Sequence, residues 1–170
     1  MQEAPLGKKE YDNAQNEQQA AAIKQILQLF GISGDTADEN FQKEIGHTRV
    51  SFWDCPLNRD YAERLRSDNL PLTEAKSENR INRIAGTAEH PRQTERVPAG
   101  AQFDFKLTVK QFDGDEEALL DTLLQGLKLL EWDSLGGNGS RGYGKVAFTA
   151  ITRNGEDISS CFAAIQPFAK

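Results

Sequence analysis

Two periods follow one another between residues 103 and 130, and they restrict the fold more than anything else in the chain. Phe103, Phe105, Leu107 and Val109 alternate with polar neighbours, the period of a strand with one buried face. Leu119, Leu120, Leu123, Leu124, Leu127 and Leu130 then recur at helical spacing as a wide apolar stripe. Acidic residues crowd the start of that helix, where the dipole favours them, and Asp113 or Asp115 is placed to cap it. The chain must therefore mix strand and helix.

The flanking sequence adds further elements. Residues 16–30 carry Ala20, Ile23, Ile26, Leu27 and Phe30 at helical spacing, and Gly31 stops the pattern. Residues 32–44 are polar, with Gly34 and the four acids Asp35, Asp38, Glu39 and Glu44. Val50 and Phe52 mark a strand over residues 49–54, which Pro56 ends. A short helical turn is expected at residues 61–66, and nothing periodic follows before Gly100; so long a loop needs a functional reason. Five glycines occupy the ten residues 135–144, and residues 145–151 carry the pattern of another strand.

The resulting order is the βαββαβ series of the ferredoxin-like fold with its first strand absent. In that fold the first strand lies between the third and fourth, so its loss leaves backbone groups on both without partners. Another segment or another chain must supply it, and residues 158–165 offer a weakly alternating substitute. The expected architecture is α+β: a single domain over residues 1–170, cut short at its amino terminus, with an insertion over residues 56–100.

A length of 170 residues with 38% hydrophobic content suffices for one modest core. The formal charge of −6 excludes coating of nucleic acid by bulk electrostatics, so phosphate binding requires a local basic patch. Cys55 and Cys161 are the only cysteines, and the first residues lack the basic-then-apolar pattern of a secretory signal, which points to a cytoplasmic protein with reduced thiols. No apolar run approaches the roughly 18 residues of a membrane span.

Residues 139–145 spell the first seven positions of a Walker phosphate loop, but Val146 stands where a metal-binding hydroxyl is required. Gly137, Gly139 and Gly142 also fit a G-x-G-x-x-G spelling. Both motifs need a strand before the loop and a helix after it, whereas here a helix precedes and a strand follows. The loop can still approach a polyanion, because glycines expose backbone N–H groups while Arg141 and Lys145 supply charge. No acidic residue occurs between Gly136 and Asn154, in contrast with the eight acids and three lysines of residues 101–135. A plain glycine-rich turn with solvated charges is the competing reading.

Residues 73–100 hold five basic residues (Lys76, Arg80, Arg83, Arg92 and Arg96) and four acidic ones (Glu74, Glu78, Glu89 and Glu95). Alternating charge suits a solvated face, yet arginines among Asn and Gln also offer the forked donors that phosphates and base edges accept. Composition leaves both readings open.

Three segments resemble one known family: E-x-K-x-E-N-x-I-x-R at residues 74–83, P-R-x-x-E-R-V-P-A-G at 91–100 and L-G-G-x-G-S-R-G-Y-G-K-V at 135–146. Their order and spacing are similar to those of the backbone subunit of type III-A CRISPR effector complexes, in the RAMP superfamily of RNA-recognition-like folds, over residues 30–148. The resemblance implies copies stacked in a helical filament along a guide RNA, with target RNA and other type III-A subunits as partners. It implies that the insertion is a thumb-like hairpin between guide and target. RNA contacts would come from Lys76, Arg80, Arg83, Arg92 and Arg96 of the insertion, oriented by Glu78 and Glu95, and from Gly137, Gly139, Ser140, Arg141, Tyr143 and Lys145 of the loop.

The family also has an initial strand, a loop bearing the aspartate that promotes metal-dependent cleavage, and a helix opening with Ser-Ser-x-Lys/Arg-Gly. None has a match here, so no catalytic residue is carried over and no cofactor is expected on this chain; magnesium or another divalent ion is implied only for the complete family member. His47, His90 and Cys55 lack metal-ligand spacing, and Asp54, Glu131 and Asp133 suit helix ends and strand edges. Ser159, Ser160 and Cys161 have no general base nearby in sequence. Phe103, Phe105 and Phe148 can stack bases, but their one-sided alternation favours a core. Rival functions are a RAMP-type ribonuclease that processes guide precursors and a protein-interaction module that binds no RNA.

Overall fold

The structure, a computed structural model, describes residues 6–32, 38–115 and 118–168. Along the chain run α1 (Lys8–Asp12), α2 (Glu17–Phe30), α3 (Glu39–Ile45), β1 (Val50–Phe52), α4 (Arg59–Ser67), β2 (Glu74–Asn82), β3 (Thr87–Arg96), β4 (Leu107–Val109), α5 (Ala118–Trp132), β5 (Thr152–Arg153), β6 (Glu156–Asp157) and α6 (Ser159–Ala163). This α+β content divides into two compact units: one takes the residues up to Ser51 and from Val109 onward, the other Phe52–Thr108.

The first unit holds the core. α2 begins where Asn16 accepts the Gln19 N–H at 2.8 Å and ends at Gly31, whose φ of +87° suits glycine. α3 lies in the stretch read as polar: Asp38 caps it through the Phe41 N–H at 2.8 Å, and Phe41 and Ile45, one turn apart, fall on one face. Ile23 and Leu27 of α2 pack with these two, and Tyr11, Ala14 and Ile32 close around them. α5 buries Leu119 and Leu123 and donates the Thr122 hydroxyl to the Gln25 side-chain oxygen Oε1 at 2.8 Å. Phe162 of α6 is buried, edge-on to Phe148 with ring centroids 6.0 Å apart.

Arg49 is the one charged residue fully buried among those described. Its guanidinium meets the Asp115 carboxylate at 2.9 Å, with both side chains under a tenth exposed (8% and 5%). It also donates to the carbonyls of Ile45, at 2.8 Å, and His47, and lies 5.0 Å from the Phe112 ring centroid. Asp115 accepts the Phe112 N–H as well, so its two oxygens serve this junction. Glu116 and Glu117, the acids expected at the start of α5, lie outside the described residues, as do Gly34 and Asp35.

β1 and β4 pair. In the first unit the Lys110 N–H donates to Arg49 O at 2.8 Å, and in the second the Trp53 N–H donates to Lys106 O at 3.1 Å. The strand expected over residues 103–109 is shorter than its alternation suggested: the ladder covers only Leu107–Val109, and Phe103 makes an isolated bridge to Leu57. Its apolar face is not buried either, with Phe103 48% and Phe105 41% exposed. Alternation reports which side chains share a face; burial needs a second layer on that face.

Residues 145–151 are not a strand in the structure, which is a second correction. Val146 and Phe148 are half-buried while Ala147 and Thr149 are exposed, so the two-residue period survives in burial. A ladder requires a neighbouring backbone, and the Phe148 N–H instead donates to the Glu131 carboxylate at 2.6 Å. The short β5–β6 pair follows. Residues 158–165, considered as a replacement strand, contain α6.

The second unit has no fully buried residue. The stretch without a period forms the β2–β3 hairpin, as the family resemblance implied, and the helical turn expected at residues 61–66 extends to the nine residues of α4. A hairpin whose half-buried face is made of polar side chains has no apolar alternation to show in sequence.

Candidate nucleic-acid interface

Asn82 shapes the hairpin tip. Its side-chain oxygen accepts the N–H groups of Ile84 and Ala85 at 3.0 and 3.1 Å, and the Gly86 N–H returns to its carbonyl at 2.8 Å. Register then sets the faces, since alternate residues of a strand share one side. Glu74 opposes Arg96, Lys76 opposes Thr94, Glu78 opposes Arg92 and Arg80 opposes Glu89. Between Glu78 and Arg80 the register shifts, so that His90 and Pro91 together oppose Asn79 in a bulge. His90 takes a φ of +52° there, and Pro91, with no N–H to offer the ladder, sits where none is required. The bulge keeps acid opposite base on both sides of it, so Lys76, Arg80, Arg92 and Arg96 share one face and Arg83 lies beside the tip.

Carboxylates of the hairpin accept from its own side chains. Arg96 Nε donates to Glu74, and Lys76 pairs with Glu78 at 3.0 Å. Glu95 accepts the Thr73 hydroxyl, and Glu89 accepts the Asn82 amide at 3.0 Å. Glu78 thus pairs with a lysine and stands opposite Arg92, and Glu74 also holds an arginine, a contact motif reading missed because only the register reveals it. Arg80, Arg83 and Arg92 are exposed.

The glycine loop belongs to the first unit. It is closed at its base by the Leu135 N–H donating to Gly144 O at 2.8 Å. A side chain at Gly144 would place its Cβ 2.1 Å from the Leu135 carbonyl oxygen, so glycine is required there, whereas one at Gly139 would meet Ser134 Oγ at 2.1 Å and need that side chain to turn away. Residues Gly139–Arg141 form a single 3-10 turn carrying Ser140. It is entered through Asn138 at φ +60°, which accepts the Arg141 Nη1 donor at 2.8 Å. Tyr143 is half-buried and its N–H returns to Asn138 O, Gly137 is exposed, and Arg141 projects from the turn. Lys145 donates to the carbonyls of Trp132, at 3.2 Å, and Asp133 at the end of α5.

Below the loop, Glu131 is mostly buried. Burial pushes its carboxyl up, but the Lys128 ammonium at 2.8 Å and the Phe148 N–H outweigh it and hold the group below the ordinary glutamate value. Phe148 packs on Phe162, as the core reading expected, whereas the exposure of Phe103 and Phe105 overturns that reading for them; Phe105 lies 6.4 Å from Phe52. His47 lies beside Phe112, both cysteines are free, and among the described residues no three His, Cys, Asp or Glu side chains are placed to hold one metal ion. No helix among the described residues is long and apolar enough to cross a membrane.

An α+β fold with a cation-bearing hairpin and an acid-free glycine turn fits an RNA-recognition-like protein. A family model, described as the RAMP superfamily, matches residues 5–147, and the chain belongs to that superfamily. It is similar to proteins named CRISPR system Cms endoribonuclease Csm3: 47% identical over 85 residues to that of Methanothermobacter thermautotrophicus, covering 50% of this chain and 34% of the relative. The identity is 41% over 130 residues to the Streptococcus thermophilus protein, covering 74% and 54%, and 36% over 126 residues to that of Enterococcus italicus, covering 73% and 55%. The chain thus spans about a third to about half the length of the relatives it matches. The resemblance drawn from three motifs is borne out.

Proposed function

We propose that this chain is part of a guide-RNA-binding backbone subunit of a type III-A CRISPR interference complex. The observation carrying this reading is that the residues matched by the RAMP model, 5–147, include both cationic features, the β2–β3 hairpin and the glycine turn. The hairpin acts as the thumb of residues 56–100, presenting Lys76, Arg80, Arg83, Arg92 and Arg96 toward paired guide and target RNA. The turn presents Arg141 and backbone N–H groups to the guide. Copies stack along one guide in the cytoplasm beside other type III-A subunits.

The domain is ferredoxin-like in this reading, and a strand from outside residues 1–170 pairs with residues 145–151. A two-stranded hairpin alone is marginal in water, so RNA and a neighbouring copy supply the contacts that its own unit lacks. Target cleavage, with magnesium or another divalent ion, belongs to the complete subunit, and no residue of this chain is assigned a catalytic role.

Fluorescence anisotropy with a guide-like single-stranded RNA tests the reading. Binding should weaken with salt, with a slope near −0.7 for each phosphate contacted, or about −2 for three contacts. Absent or salt-indifferent binding would leave only the interaction-module alternative.

A further inference from the structure

Lys145 is the second cation of the glycine turn, yet its ammonium is already bonded to protein. The Asp133 N–H closes the last turn of α5 on Leu129 O at 2.9 Å, which leaves the Trp132 and Asp133 carbonyls at the helix end without an intrahelical donor. Lys145 Nζ donates to both. That placement is electrostatically favourable, because a cation complements the negative end of the helix dipole. It is also mechanically specific. Gly144, the neighbour of Lys145, accepts the Leu135 N–H and fits against the Leu135 carbonyl where no Cβ could, so the lysine bond and the backbone closure fasten the same two ends of the loop.

We infer that Lys145 is a positioning residue for RNA recognition: it ties the glycine turn to the end of α5 and so fixes the direction of Arg141, without itself neutralising a phosphate. Arg141 stands at the opposite end of the turn, held at one guanidinium nitrogen by Asn138. The arginine is exposed, and a guanidinium's planar fork suits an oxyanion. The two cations, adjacent in motif and alike in charge, then have different tasks. This inference rests on the RNA-binding reading above.

The test compares the full chain with its Arg141→Gln and Lys145→Met variants in two measurements: single-stranded RNA affinity as a function of salt, and amide hydrogen exchange at Leu135. Arg141→Gln should weaken binding about tenfold, lower the salt slope by about 0.7, and leave Leu135 exchange unchanged. Lys145→Met should also weaken binding, about three- to tenfold by freeing the turn, while retaining most of the slope and speeding Leu135 exchange. A slope loss in Lys145→Met equal to that of Arg141→Gln would make Lys145 a phosphate contact and overturn the inference alone. Faster exchange with unchanged affinity would make the bond purely structural and also overturn it. Failure of the unaltered chain to bind RNA would overturn the functional reading and this inference with it.

Discussion

Removing the Asp115 carboxylate should destabilise the first unit by an amount set by what Arg49 has left. In Asp115→Ala the guanidinium loses its counter-ion and the acceptors at 2.9 and 3.3 Å, while its bonds to the Ile45 and His47 carbonyls survive. Breaking a buried ion pair by deleting one partner costs about 3–5 kcal/mol, and the surviving carbonyl bonds place this case near 3. For a chain of this size that is a fall in melting temperature of about 6–12 °C. Far-UV circular dichroism is the appropriate assay, since every helix but α4 belongs to the first unit. Because the Arg49 hydrogen bond holds the Asp115 carboxyl below the ordinary aspartate value, its contribution is complete above that value. It is lost as pH falls through the depressed folded value, so the gap between wild type and variant should close in acid. A loss under about 1 kcal/mol at neutral pH, or a gap that persists in acid, would refute the reasoning.

Gly144→Ala forces a side chain onto φ +72° and the Leu135 carbonyl, and should cost at least about 2 kcal/mol in thermal unfolding, whereas Gly137→Ala, with nothing within 4 Å, should cost under about 0.5. Glu131→Gln weakens the Lys128 and Phe148 contacts and should cost about 1–2 kcal/mol at neutral pH; since that carboxyl is held low, the difference should vanish as pH drops below the ordinary glutamate range. A double-mutant cycle on Glu74 and Arg96, side chains 43% and 34% exposed, should return a coupling of only about 0.2–1 kcal/mol that shrinks with salt.

What sequence could disclose depended on whether a pattern is local. The helical period of α2, its Asn16 start and its Gly31 stop are local chemistry and hold, although Leu29 is buried in place of Phe30 at the end of the stripe. Phe103, Phe105 and residues 145–151 show the limit: their alternation is real, but burial and strand pairing are properties of neighbours that the alternation does not name. The β2–β3 hairpin shows no period for a related reason, and only the family resemblance implied it. Its order comes from a backbone ladder and cross-strand charge pairs, with acid and base scattered along the sequence until the register aligns Glu74 with Arg96 and Arg80 with Glu89. Arg49 and Asp115 lie 66 residues apart, and nothing in the sequence links them. Within the glycine turn, Arg141 and Lys145 were singled out together as charge on a bare backbone; only coordinates separate the arginine on its turn from the lysine on the end of α5.

Photo-crosslinking of a guide-like RNA to the chain, with the adducts mapped by mass spectrometry, bears most directly on the function. Adducts concentrated in residues 74–96 and 136–146 are predicted, competed by unlabelled RNA and lost at high salt. Adducts confined to other segments, or none at RNA concentrations that saturate binding, would contradict the assignment of the hairpin and the glycine turn to a guide strand.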